Sequence, residues 1–518
     1  MSWAALSAGM ELPIVPLSTY ILGFSALPAL IWMLYGIIWR LYWSPIANFP
    51  GPKSVALTHW VEFYYDVVKD GMFMWEIEKM HKKYVRVSPY ELHCNDPEFY
   101  NTIYASPPEQ RDKYLRATRS PDCNNATGFT VEHAHHRLRR EALAPFFSKR
   151  NTVLMEDDIK ACVDTLCENM GKNKDPGNPF NLTVGSLATT MDILTCYCFG
   201  VPFGLQKDED LAIKWRDTIF HVMRALPMIR KFPLLARVVE VLPPSISAFV
   251  LPDLSVLQEW KSVQQVLGYE GIYAKADRGK KTVMEQLRDY EKLPPPEKTH
   301  QRLSEECAIL TIAGSETPAK ANAMLWYHLL DNPDKLSKLR AEIKQVYPDP
   351  KMALPPVSIL EGIPYLVACV LEGLRMQSGV VGRSQRVAQT PMHYKEFTIP
   401  AQTPISSVSF FQNYHEVIFP EPHAFVPERW LVQDEEGLKV NHDLKRYLRA
   451  FGHGSRNCLG YNLAFAELYL LTAALATRME LELFQTTIDD VAIQRDWTIP
   501  QANPDSKGIR VIVRDYFC

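Results

Sequence analysis

The chain has 518 residues, 47% hydrophobic and 22% charged, with a formal net charge of −3. That length allows one large fold or two domains, and the composition is that of a packed protein, not a disordered one. The near-neutral balance supplies no basic footprint, so no nucleic acid is expected as a partner.

Ten cysteines contain no CxxC pair, which argues against a disulfide framework and against a structural zinc site. Cys196 and Cys198 lie too close for an ordinary bridge. Most of these thiols read as small buried hydrophobes in a reducing compartment.

Residues 1–45 read as a membrane anchor. No charge falls between Glu11 and Arg40, and a helix over about 20–39 suffices to cross roughly 30 Å of hydrocarbon. Trp39, Tyr42 and Trp43 lie where an interfacial belt would sit, and Arg40 marks the cytoplasmic side. A cleaved signal peptide is disfavoured: the apolar run is long, no basic region precedes it and no small-residue cleavage site follows. Pro28 would kink the helix, which a bilayer tolerates. Ser44-Pro45 and Phe49-Pro50-Gly51-Pro52 form a stiff stop before the body.

The body, residues 46–518, shows no repeat and no second shift of composition. Apolar spacing near 3.6 predicts helices over Met155–Met170, Ser304–Leu330, Pro364–Gln377 and Asn462–Met479. Strands are predicted over Tyr84–Ser88, Arg386–Val387, His393–Ile399 and Gly508–Val513. The fold class is mainly α with small β-sheets. Asn125 and Asn181 match the glycosylation pattern, but the anchor puts the body in the cytosol and both are read as chance matches. The proline-punctuated stretch 226–251 reads either as two core-facing helices or as a flap dipping into the bilayer.

Chemistry concentrates in Phe451-Gly452-His453-Gly454-Ser455-Arg456-Asn457-Cys458-Leu459-Gly460. A thiol just before a helix, among free N–H groups and beside Arg456, is expected to be a thiolate. Gly454 and Gly460 allow a tight loop beneath a flat group, and Phe451 would shield the sulfur. This run resembles the haem-binding signature of the cytochrome P-450 family, FxxGxRxCxG, at every fixed position. A chance match in this length has probability on the order of 10⁻⁵ or less.

The resemblance implies the cytochrome P-450 fold, with haem b between a long central helix and the cysteine loop, and Cys458 as axial iron ligand. It extends from the proline hinge to the helix after Cys458. HRLRREALAPFFSKR and FVPERWL, with the spacing between motifs, are most similar to fungal oxygenases of secondary metabolism such as trichodiene oxygenases.

Three further motifs fall into place with it. Glu372 and Arg375, three apart on one helix face, and Arg429 of FVPERW match the family's buried structural triad. Ala313-Gly314-Ser315-Glu316-Thr317-Pro318 resembles its oxygen-activation motif, which makes Glu316 and Thr317 the proton-relay pair. Read without the resemblance, that pair is a cap or a back-bonded hydroxyl. Pro318 replaces the usual Thr or Ser, leaves the Gly314 carbonyl without its helical donor, and is expected to fix the helix opening there. His133, His135 and His136 invite a zinc site or a basic amphipathic surface. The resemblance instead puts His136 and Arg140 on a haem propionate, with Arg386, Arg456, Phe451 and Gly452 completing the cofactor contacts.

The function implied is a monooxygenase that uses dioxygen and electrons from a separate NADPH–cytochrome reductase to hydroxylate or epoxidise an apolar small molecule, terpenoid or polyketide. A basic face with Arg137 and Arg139 would receive the reductase. Ser106–Thr130 and the helix before Ala313 would line the pocket. A single-pass anchor in the endoplasmic reticulum, with membrane lipid around it, would leave the catalytic domain in the cytosol. Two other readings are an electron-independent haem-thiolate isomerase or dehydratase, and a non-catalytic haem-binding protein; the acid–alcohol pair argues against both.

Overall fold

The computed structural model describes residues 17–81, 84–120, 123–173, 177–234, 238, 241–243, 245–246, 249, 281–435 and 437–518. Eight helices carry the architecture: α1 Leu17–Ile38, α2 His133–Leu143, α3 Glu156–Lys172, α4 Leu182–Phe199, α5 Glu209–Lys231, α6 His300–Asp331, α7 Pro364–Gln377 and α8 Tyr461–Arg478. The expected helices over 155–170, 304–330, 364–377 and 462–479 are α3, α6, α7 and α8, each displaced by no more than four residues at an end.

Local chemistry sets those ends. Asn181 caps α4 by accepting from the Val184 N–H, and Thr299 caps α6 through Arg302 N–H, each relieving one orphan donor of a helix start. Pro364 opens α7 at the position where its missing N–H does no harm. α6 runs 32 residues, about 48 Å at 1.5 Å per residue. It packs along α4, α7 and α8, and the Thr190 hydroxyl of α4 donates to the Ser315 carbonyl at 2.8 Å. The main core lies among these helices, with Trp326 and Trp430 fully buried.

The strands stay at the margin. β1 Tyr84–Arg86, β2 Leu92–Cys94, β3 Arg111–Lys113, β5 Arg386–Ala388 and β6 Ile405–Ser406 form one sheet, ordered β1-β2-β6-β5-β3. Its register sets Arg386 opposite Lys113. A second sheet joins β4 Phe180–Asn181, β7 Met479–Leu483 and β8 Arg510–Tyr516 in the order β7-β8-β4. The strand expected over 393–399 is a hairpin of Met392–Tyr394 and Phe397–Ile399, because Lys395 takes a left-handed φ of 51° and turns the chain back.

α1 passes through Pro28 as helix and ends in a π-turn, Trp39–Trp43. Leu27, Ile31, Trp32, Tyr35, Tyr42 and Trp43 are exposed. The proline-rich link after it is not a free spacer. Ile46 and Phe49 are buried in a small core with Leu92 and Ile405, and the Arg86 guanidinium donates to the Arg40 carbonyl at 2.7 Å. Most of 235–251, where a flap or core helices were expected, lies outside the described residues; α5 takes in its first turn, through Pro227. Both glycosylation-pattern asparagines have structural work: Asn181 is the α4 cap, and the Asn125 amide donates to Glu305 at 2.7 Å.

Candidate active site

The Cys458 loop is folded by its own backbone. Cys458 N–H donates to the Phe451 carbonyl at 2.9 Å, and Asn457 N–H to that of Gly454 at 3.1 Å. Gly454 has φ +75°, and a Cβ there would stand 2.1 Å from the Tyr104 carbonyl oxygen, so no other residue permits this approach. Gly452 has φ +67° with open space where its Cβ would be. The Phe451 ring packs on Tyr461 and Phe465 at 4.8 and 5.4 Å between centroids.

The Cys458 side chain is exposed, yet burial of its surroundings is the largest influence on it and raises the thiol above its usual range. The Gly460 N–H and the Arg140 charge pull the other way and do not prevail. A metal cation bound to the sulfur would favour its thiolate form. The nearby cation is Arg140, not Arg456.

Cations gather around the loop. Arg140 donates to the Asn457 carbonyl and amide oxygens at 2.7 and 2.8 Å, holding the residue next to Cys458. Arg456 donates to the carbonyls of Arg111, Thr130 and Val131, and burial lowers it to about 10. Arg386 is buried and donates to the carbonyls of Ser384 and Gln385. Burial, together with Arg456 and Lys113, lowers His136 to about 2. The sequence motifs did not single out Lys113 and Arg449. Lys113 is depressed by burial and by Arg386 and Arg456; Arg449 is buried with its guanidinium 4.2 Å from the Tyr100 ring centre. Among the described residues none of these five cations forms an ion pair.

Above α7 the structural triad is assembled as expected. Glu372 and Arg375 are both fully buried and doubly bonded at 2.8 and 2.9 Å; Arg429 reaches the same carboxylate at 3.1 Å. Glu372 also accepts from the Trp430 indole at 2.8 Å and the Val426 N–H at 3.0 Å. The indole was not foreseen, since a tryptophan beside a motif arginine reads as core.

On α6 the pair Glu316 and Thr317 is adjacent but divided. Thr317 donates its hydroxyl proton to the Ala313 carbonyl at 2.7 Å, the back-bonded arrangement. Glu316 is buried and pairs with Lys320 at 3.6 Å. It lines an open cleft with Lys320, Phe220, Ile499 and Pro500. Ala313 is exposed between buried Ile312 and Ser315, so this stretch of an otherwise packed helix borders open space. α6 continues through Pro318.

The histidine cluster resolves differently. His135 contacts Glu297 at 2.7 Å, His136 is buried, and no metal-ligand group occurs among the described residues. Arg139 is buried and bound to Glu297 at 2.7 Å. It cannot belong to a docking face, whereas Arg137 is exposed.

Comparison with known proteins decides the family: residues 58–504 match the cytochrome P450 family model. The chain belongs to the cytochrome P450 family. It is 37% identical to a tryptophan 6-hydroxylase of Fusarium equiseti, covering 92% of this chain and 93% of that one. It is 34% identical to the cytochrome P450 monooxygenase TRI4 of Fusarium sporotrichioides, with 92% of each covered. It is 35% identical to an N-acetyltryptophan 6-hydroxylase of Emericella nidulans, covering 93% and 95%. The chain is a P450 oxidoreductase related to monooxygenases of fungal secondary metabolism.

Membership in this family implies a haem held by thiolate, and the residues present suit such a group. Cys458, Gly452 and Ala313 are exposed, and the arginines around the loop form no ion pair among the described residues. Buried unpaired charge is expensive, and a flat ligand bearing two carboxylates would relieve it.

Proposed function

We propose that this chain is a membrane-anchored haem-thiolate monooxygenase of fungal secondary metabolism. Cys458 would hold the iron through sulfur, and Phe451 and Gly452 would form the surface beneath the macrocycle. His136, Arg140, Arg386 and Arg456 would serve its propionates, with Lys113 and Arg449 adding charge. When bound, the haem supplies activation of dioxygen and insertion of one oxygen atom into a C–H or C=C bond. The observation that carries the reading is the exposed Cys458, in its signature loop, among cations that form no ion pair among the described residues.

The protein's own part is orientation, exclusion of water and delivery of protons. Thr317, its proton given to the Ala313 carbonyl, has lone pairs free to accept from water. Glu316, salt-bridged to Lys320 beside an open cleft, would pass protons inward from that side. Pro318 removes the donor of the Gly314 carbonyl, which keeps a polar oxygen available to that water.

Electrons would come from NADPH through a separate cytochrome reductase, with exposed Arg137 in its docking face. α1, 22 residues long and so about 33 Å, would cross the endoplasmic reticulum membrane once and leave the body in the cytosol. Its exposed apolar side chains support that reading. Two relatives are named for hydroxylating tryptophan or its N-acetyl form, so indole amino acids are the first substrates to offer.

The test is turnover of the full chain with reductase, NADPH and isotopically labelled dioxygen. One labelled oxygen atom in the product is expected. Product formed without NADPH would reassign the chain as an isomerase, and a haem-loaded chain that consumes no NADPH with any substrate would contradict the proposal.

A further inference from the structure

A second, narrower open cleft lies where six separate segments meet. Glu62 and Asp66 come from the turns after Trp60, Glu91 from the β1–β2 connection, and Tyr114 and Arg116 from the stretch after β3. Arg230 and Lys231 end α5, Arg383 and Gln385 precede β5, and Asp496 and Thr498 belong to a C-terminal hairpin. Its walls carry four carboxylates and four cations, and half of these cancel. Glu62 is bonded to both Arg383 and Arg116, and Glu91 to Arg383 at 2.7 Å.

The other half is left over. Among the described residues the Asp66 carboxylate forms no hydrogen bond or ion pair. Among the same residues Asp496 accepts only from the Thr498 N–H, at 2.8 Å. Arg230 makes two long contacts of 3.4 Å, to the Arg119 carbonyl and the Thr498 hydroxyl, and Lys231 rests 5.0 Å from the Trp60 ring centre. Burial raises both aspartates and lowers Arg230, even though Arg230 lies close enough to act on each. Charges placed in this way are costly unless something else answers them.

The cleft adjoins the candidate active site. Arg383 and Gln385 lead directly into Arg386, and Tyr114 follows Lys113, the register partner of Arg386. The Arg230 charge is felt by Lys113 together with those of Arg386 and Arg456. Phe63, Val67, Ala117 and Pro227 give the same cleft an apolar lining.

We propose that this cleft binds the zwitterionic end of an amphipathic substrate, a carboxylate on Arg230 and Lys231 and an ammonium on Asp66 and Asp496, while its apolar body reaches the haem. The substrate class is then an α-amino acid with a large aromatic side chain, in place of the wholly apolar molecule expected from the sequence. This rests on the monooxygenase reading above.

The experiment is a titration of the haem-loaded full chain in lipid nanodiscs, following the substrate-induced shift of the Soret band. Four probes share one ring: L-tryptophan, tryptamine, indole-3-propionate and 3-ethylindole, so that each charge is present or absent independently. L-tryptophan should bind most tightly and 3-ethylindole most weakly. Arg230→Met should weaken the two carboxylates by roughly 10- to 100-fold, as for a lost charged hydrogen bond, and spare tryptamine. Asp66→Asn should do the converse. Equal or tighter binding of 3-ethylindole, no shift with any probe, or variants that weaken all four alike would overturn the proposal. A wild-type chain with no thiolate–carbon monoxide band would instead remove the monooxygenase reading itself.

Discussion

Charge is buried in two regions of this protein, with opposite bookkeeping. Around Glu372 every partner is present: two arginines, an indole and a backbone N–H converge on one carboxylate with no exposure. In the cleft around Asp66 and Arg230 the charges are half-buried and incompletely matched. A saturated network defines one geometry and behaves as scaffold. An unsaturated one leaves interaction energy for a ligand, which is what selectivity requires.

If Glu372 is the scaffold's hub, Glu372→Gln should destabilise the fold by about 3–5 kcal/mol, the range for breaking a buried ion pair from one side. Retained haem after mild heating should fall accordingly, and a variant of unchanged stability would break the comparison. Trp430→Phe removes a single hydrogen bond to the same carboxylate while keeping the packing. A loss of about 1.5–3 kcal/mol in denaturant unfolding is expected.

The Arg139–Glu297–Arg302 cluster sharpens the contrast through pH. Burial pushes Glu297 up, but its bonds to Arg139 and His135 and the Arg302 charge more than offset this, to about 2 from 4.5. A depressed folded value means stabilisation is complete above the unfolded value and disappears as pH falls through the folded one. Acid unfolding of the wild type should therefore steepen between about pH 4.5 and 2, and Glu297→Gln should remove that component. The smallest effect belongs to the exposed rim: Arg137→Glu should lower the reductase association rate severalfold at low salt, with little change at high salt and none in stability.

These two regions also differ in how they could be read from sequence. The Glu372 network announces itself because its members lie in two short segments, 372–375 and 426–430, with fixed spacing. Cys458 stands in one decapeptide, and the long amphipathic and apolar helices betray themselves by period. The cleft has no such signature, since Glu62, Glu91, Arg116, Arg230, Arg383 and Asp496 come together only through folding. Arg139 misled for a related reason: two positions from the exposed Arg137, it faces inward because Glu297, far along the chain, is there to receive it. The burial around Cys458, which acts against the thiolate expected of its loop, is a quantity that neighbouring residues in sequence do not reveal.

The central claim is that Cys458 holds a haem iron. Dithionite-reduced membranes bearing the full chain should show, with carbon monoxide, the red-shifted Soret band of a thiolate ligand, and Cys458→Ser should abolish it while the chain stays folded. A wild-type chain without that band, or a serine variant that keeps it, would contradict the account.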